Sequence, residues 1–208
     1  MDDRTSKLIE KSLSRLKESG IQPIRATVKP ISWGNFEQCK ELFIAVFKTT
    51  DETVKEYRHI TEYDKVITWM TDTRGLGLYL VGHIGRGKSN IIERVLPVLF
   101  AMRTTELGAA NILRGFHANE MKINLDRLLK RKMWYVDEIG REPTASDYGE
   151  KYESFNVLID DAERNLKQIF ISTNLQKDEM TKRYDQRTIN RLERLCLKVE
   201  FKGESFRR

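Results

Sequence analysis

The chain has 208 residues, a formal net charge of +6, 39% hydrophobic and 33% charged residues. That length suits one α/β domain with a modest extension. No run approaches the roughly 20 apolar residues of a membrane span, and the charged start Met1–Leu13 lacks an apolar signal region. Cytoplasmic residence without a membrane partner is therefore the expectation. Cys39 and Cys196 lack C-x-x-C spacing, and His59, His83 and His117 are scattered. This argues against a zinc site or a disulfide framework. The positive balance permits contact with nucleic acid without establishing it.

Residues 4–19 carry Leu8, Ile9, Leu13 and Leu16 near one helical face, with Gly20 as C-cap and Pro23 as stop. The stripe suits packing on the parent domain, which is the default, or docking of a partner. Residues 21–34 read as extended. A second helix is expected over 35–47, with Phe36, Cys39, Phe43 and Phe47 in register, and a third over 52–71, with Tyr57, Ile60, Tyr63, Ile67 and Met70. The third helix's aromatics suit the core, and some would border an adenine. Thr49-Thr50-Asp51 offers caps between the two. A helical extension, residues 1–52, is thus separated from a core domain, residues 53–208.

Leu76–Val81 is a short apolar run bounded by turns, read as a buried strand. Gly82-His83-Ile84-Gly85-Arg86-Gly87-Lys88-Ser89 follows and matches G-x-x-x-x-G-K-[ST]. Glycines let backbone N–H groups converge on a phosphate, and the next helix adds its positive dipole end. Gly82 to Asn90 are the nucleotide-binding candidates: Lys88 for the β- and γ-phosphates, the Ser89 hydroxyl for Mg²⁺. That helix carries Ile91, Ile92, Val95, Leu96, Leu99 and Phe100, and Pro97 is expected to kink or shorten it.

A weaker strand is expected at 110–116, then an amphipathic helix over 121–132 with the basic end Lys130-Arg131-Lys132. Met133-Trp134-Tyr135-Val136-Asp137-Glu138 is an apolar run ending in two acids. A parallel sheet delivers such acids to the edge where α/β folds place ligands. Asp137 is the metal candidate, and Glu138 would polarise the attacking water. Residues 144–166 contain a helix with Tyr152, Phe155, Leu158 and Ile159. Gln168–Thr173 reads as a strand ending in Ser172-Thr173-Asn174. Those residues suit simple turn chemistry, or contact with the γ-phosphate or the water. Short helices follow over 177–184 and 186–195. Arg187, Arg191 and Arg194 share a side of the second, either as a solvated face or as arginines for a neighbour's nucleotide. Residues 196–201 form a last strand and 203–208 a short basic tail.

Three stretches together, GHIGRGKS, YVDEIG and FISTNLQKDEMTKRYDQRTINRL, resemble the DnaC/IstB group of AAA+ ATPases. These are bacterial helicase loaders and transposition helper ATPases. The resemblance covers about residues 57–201. It implies a P-loop NTPase core of three layers with a five-stranded parallel sheet, order 5-1-4-3-2, built from strands 76–81, 110–116, 133–137, 168–173 and 196–201, and no large lid. Asn174 matches the family's sensor-1 position. Arg187 and Arg191 fall in the segment like its box VII, with Arg191 like the finger that reaches a neighbouring subunit's nucleotide. His83-Ile84, Arg86 and Asn90 depart from the residues usual in the loop, at positions that mostly offer backbone.

The implied function is Mg²⁺-dependent ATP hydrolysis in an assembly on DNA that loads a replicative helicase. An IstB-like transposition helper is the alternative, with a transposase as partner in place of the helicase. Either partner would dock through the N-terminal region, with self-association in the ATP state and single-stranded DNA as a further partner. Lys122, Arg141 and Lys130-Arg131-Lys132 are candidates for DNA contact. A small-molecule kinase and a binding module with little turnover are less favoured. Glu138 and the late position of the arginine helix argue against them.

Overall fold

The structure, a computed structural model, describes residues 2–20, 28–50, 57–103, 112–142, 145–147, 150–152 and 154–206. Helices α1 (Asp3–Glu18), α2 (Phe36–Thr50) and α3 (Thr61–Thr71) precede strand β1 (Gly77–Gly82). Helix α4 follows the phosphate loop in three pieces: an α turn Lys88–Asn90, a π segment Ile91–Val95 and an α segment Leu96–Ala101. Then come β2 (Arg114–His117), α5 (Met121–Leu129), β3 (Met133–Ile139), and a small hairpin of β4 (Ala145–Asp147) and β5 (Glu150–Tyr152). The chain continues with α6 (Ser154–Arg164), β6 (Gln168–Thr173), α7 (Lys177–Arg183), α8 (Gln186–Leu195) and β7 (Cys196–Phe201).

Five strands form one parallel sheet in the order β2-β3-β6-β1-β7. Counting only those five, the order is 5-1-4-3-2, as the resemblance implies. Every residue of β1 and of β6 is buried. Their near-continuous apolar runs therefore mark central strands covered on both faces. Side chains alternate between the two layers. Leu78, Leu80, Phe170, Val199 and Phe201 pack with Phe43, Tyr63, Ile67, Ile91 and Leu99 of α2, α3 and α4. Tyr79, Val81, Trp134, Val136, Ile169 and Ile171 pack with Leu128, Phe155, Leu158, Ile159 and Leu192 of α5, α6 and α8. This is the three-layer core, and both cysteines lie buried in it.

The segment before α2 is tied to the end of α3. Trp33 donates its N–H to Met70 O at 3.1 Å, and Ile31 donates to the Thr73 hydroxyl at 2.9 Å. The Trp33 and Trp69 rings then close on Phe100, and Phe170 lies edge-on to Trp69 and Phe100 at centroid distances of 5.8 and 5.3 Å.

Four local expectations need correction. The third helix begins at Thr61, not 52. Ile60 is extended, and instead of following the helix the Tyr57 hydroxyl lies 2.9 Å from His59 Nδ1 while His59 Nε2 lies 2.8 Å from Asp64 Oδ1; residues 52–56 lie outside those described. The helix expected within 144–166 starts only at Ser154, because β4 and β5 pair antiparallel just before it. Helix α5 stops at Leu129, which leaves the basic end outside it. Pro97 does not end α4. Leu96 N–H donates to Ile91 O, five residues back, and this wider register precedes a proline whose ring would otherwise meet the Glu93 carbonyl.

The weaker strand is confined to Arg114–His117; residues 110–111 of that expectation, 21–27 of the extended stretch and 207–208 of the tail lie outside those described. Helix α1 forms, yet it buries none of its described side chains, and Leu8 is 66% exposed. The default expectation that its stripe packs on the parent domain is not met among the described residues.

Phe170 is fully buried where the sheet meets the tryptophan cluster. Phe170→Ala is expected to cost about 3–5 kcal/mol, read as a lower midpoint in denaturant unfolding.

Candidate active site

The phosphate loop runs from the end of β1 into α4. Gly82, Gly85 and Gly87 have φ of 131°, 80° and 86°. At two of these, packing also forbids a side chain. A Cβ on Gly82 would lie 2.0 Å from Phe201 O, and one on Gly87 would lie 2.5 Å from the Tyr63 hydroxyl. Lys88 is 5% exposed, and its ammonium donates to the carbonyls of Gly82 and His83, both at 2.7 Å. The loop's own carbonyls thus hold the cation that a phosphate would recruit.

Strand β3 delivers the acids through a bulge. Val136 pairs with Ile171, but Ile139 pairs with Thr173, so β3 carries one extra residue there. Glu138 takes φ of 56°, a left-handed backbone that costs a non-glycine residue on the order of 1–2 kcal/mol. Ser172 fills the break in the ladder. Its hydroxyl accepts from Glu138 N–H at 2.9 Å and donates to Asp137 Oδ1. Asp137 is 3% exposed.

The Glu138 carboxylate is held from three sides. His117 Nε2 lies 2.9 Å from Oε2 and Arg141 Nε 3.1 Å from the same oxygen; Asn174 Nδ2 donates to Oε1 at 3.2 Å. Burial alone would raise this carboxyl, but the His117 hydrogen bond, the Arg141 charge and Asn174 together hold it below the usual range. Glu93, on the π segment of α4, is pushed upward by burial and by the Asp137 charge. Asn174, expected to contact the γ-phosphate or the attacking water, donates directly to Glu138. Sequence reasoning missed His117 and Ser172 as members of this group. The signal for His117 was its place at the end of β2, in register with Asp137.

The residues present fit a nucleotide with its magnesium. The side-chain amide of Asn90, next to Ser89, has buried nitrogen and oxygen atoms without a hydrogen-bond partner among the described residues, which is a donor and an acceptor beside the loop. Ser89 and Asp137 are the oxygen donors a hard divalent cation takes.

The two box VII-like arginines part company. Arg187 is exposed and makes no ion pair among the described residues. Arg191, expected to reach a neighbour, is 8% exposed. It pairs instead with Asp160 and with Glu163, the latter at 2.7 Å, both on α6. The reason is burial: Arg191 lies on the buried side of α8 with Thr188 and Leu192, whereas Arg187, one turn earlier, is exposed. Of the candidate DNA contacts, Lys122, Lys130 and Lys132 are exposed, while Arg141 is drawn to Glu138.

The loop between β1 and α4 and the order of the parallel sheet define the fold of a P-loop NTPase. Three solved structures are similar to the chain, and the first of them supports the fold. The DnaC helicase loader aligns with 78% of this chain and 99% of its own, with TM-score 0.50 and 19% identity. DnaI aligns with 78% and 94%, TM-score 0.47 and 18% identity. A structure described as a primosome component of Streptococcus pyogenes serotype M3 gives 85% and 86%, TM-score 0.47 and 18% identity. No protein-family model matches the chain, and a search of curated proteins found no relative. The chain thus has the fold of the DnaC helicase loader.

Ser172→Ala removes both side-chain bonds that pin the bulge. It is expected to cost about 1–3 kcal/mol, the range for a lost buried hydrogen-bonding group, measured by denaturant unfolding.

Proposed function

We propose that this chain is a Mg²⁺-dependent ATPase that loads a replicative helicase onto DNA. The observation that carries the reading is the convergence of Lys88, Ser89, Asp137, Glu138 and Asn174 on one end of a sheet whose fold is that of a helicase loader. The loop amides and Lys88 would bind the triphosphate. Magnesium held by Ser89 and Asp137 would neutralise charge on the phosphate oxygens. Glu138, oriented by Asn174, is the base that takes the proton of the attacking water. The hydrogen bonds from His117 and Arg141 to that same carboxylate favour a low turnover until contact with DNA or a neighbouring subunit rearranges them.

Assembly enters through Arg187. An exposed guanidinium on α8 suits delivery to a nucleotide bound by an adjacent copy, and this replaces Arg191 in that role. The exposed apolar stripe of α1 supports partner binding by the start of the expected extension, residues 1–52, whereas α2, at the end of that range, packs into the same core as residues 53–208 and belongs with the ATPase domain. The exposed lysines Lys122, Lys130 and Lys132 support contact with single-stranded DNA. No helix among the described residues is long and apolar enough to cross a membrane.

The deciding experiment measures phosphate release and MgATP binding for wild type and Glu138→Gln, with and without single-stranded DNA. Glu138→Gln is expected to bind MgATP but to lose on the order of 10²-fold or more in turnover. Turnover at the wild-type rate would overturn the assignment.

The arginines give a separate test. Arg187→Ala is expected to melt like wild type and to lose at least about tenfold in turnover under conditions of self-association. Arg191→Ala is expected to lose about 3–5 kcal/mol of stability, as for a broken buried ion pair.

A further inference from the structure

The phosphate loop has an outer side that the ATPase reading does not use. Arg86 occupies the position before Gly87, and its side chain turns away from the phosphate concavity into a built contact with the segment after β7. It is 9% exposed, although the loop around it includes exposed His83 and Ile84. Its guanidinium lies 3.5 Å from Glu62 Oε1 at the start of α3 and donates to Glu204 O at 3.2 Å. Its Cζ stacks 4.3 Å from the centroid of the Phe206 ring. Phe206 in turn donates its backbone N–H to Gly85 O at 3.0 Å.

Glu62 ties the same two segments. It accepts the Lys202 N–H at 2.8 Å. Burial would raise its carboxyl, but the Lys202 hydrogen bond and the Arg86 charge bring it below the usual range. From inside, the Tyr63 hydroxyl donates to Arg86 O at 3.3 Å. The loop backbone is therefore gripped at Gly85 and Arg86 from the side opposite its amides.

We propose that Arg86, Glu62 and the segment Glu204–Phe206 form a brace that positions the phosphate loop, so that docking of this segment and nucleotide occupancy are coupled. This rests on the nucleotide-binding reading above. A glycine-rich loop gains affinity when its amides are held in the bound arrangement before the ligand arrives. A segment that holds them from behind supplies that hold. Coupling is reciprocal: if the docked segment tightens nucleotide binding, nucleotide tightens docking by the same factor. Phe206 is the place to break the brace, because it is 37% exposed and lies outside the core.

The test uses the full chain and MgADP as probe, with affinity from calorimetry and backbone exchange of residues 202–206 from hydrogen–deuterium measurements. Phe206→Ala is expected to weaken MgADP about three- to tenfold, the range of a lost cation–π contact. Phe206→Tyr, which keeps the ring, is expected to stay within about twofold of wild type, and melting temperatures should match across the three proteins. Saturating MgADP is expected to slow exchange of residues 202–206 in wild type and not in Phe206→Ala. Wild-type affinity in Phe206→Ala, or exchange in wild type indifferent to MgADP, would overturn the brace while leaving the ATPase reading intact. Failure of wild type to bind either MgADP or MgATP would overturn the nucleotide reading, and the brace with it.

Discussion

The site depends on one hydroxyl. Strand β3 carries an extra residue at its end, where Asp137 and Glu138 lie, and that interrupts the ladder with β6. An interrupted parallel ladder in a dry sheet leaves a backbone donor without its carbonyl. Ser172 answers it by accepting from Glu138 N–H while donating to Asp137. The same group thus stabilises the bulge and fixes one oxygen of Asp137. The left-handed backbone at Glu138 can persist because the surroundings over-determine it: Ser172 on its amide, and His117, Arg141 and Asn174 on its carboxylate.

That arrangement also explains why the strands pair as they do. His117, Asp137–Glu138, Ser172–Asn174 and Gly82 end four neighbouring strands at one edge. Parallel strands share a direction, so their last residues meet without long loops. The phosphate loop then starts where β1 is locked between β6 and β7. The close approach of Gly82 to Phe201 O makes the loop's first hinge part of the sheet. The residues between Gly82 and Gly87 are held on their outer side by α3 and by the segment after β7.

Much of this was legible in the sequence because strong patterns are local. The buried runs 76–81, 133–137, 168–173 and 196–201 lie on observed strands almost residue for residue. The G-x-x-x-x-G-K-S spacing fixed the strand–loop–helix order around it. Other features were not legible, because they depend on partners far along the chain. Nothing near Arg86 announces Glu204 or Phe206, which lie more than 100 residues later. The hairpin of β4 and β5 interrupts a stretch whose apolar spacing suits a helix, and pairing decides it. The π segment in α4 follows from Pro97, but a proline in a helix leaves open whether the chain breaks, bends or widens its register.

The arginine helix is the clearest case of spacing that says less than it seems to promise. Arg187, Arg191 and Arg194 are spaced four and three apart, so a helical wheel puts them together. Burial separates them, because α8 lies on α6 through the side that contains Leu192. A guanidinium on that side must be neutralised or it would be expelled. Asp160 and Glu163 stand one turn apart on α6 and supply the two carboxylates. Glu163 also reaches Arg194 at 2.9 Å. A residue so fully engaged within its own chain clamps two helices, and any movement of it toward a neighbour would give up both of its ion pairs. Among the described residues Arg187 carries no such tether.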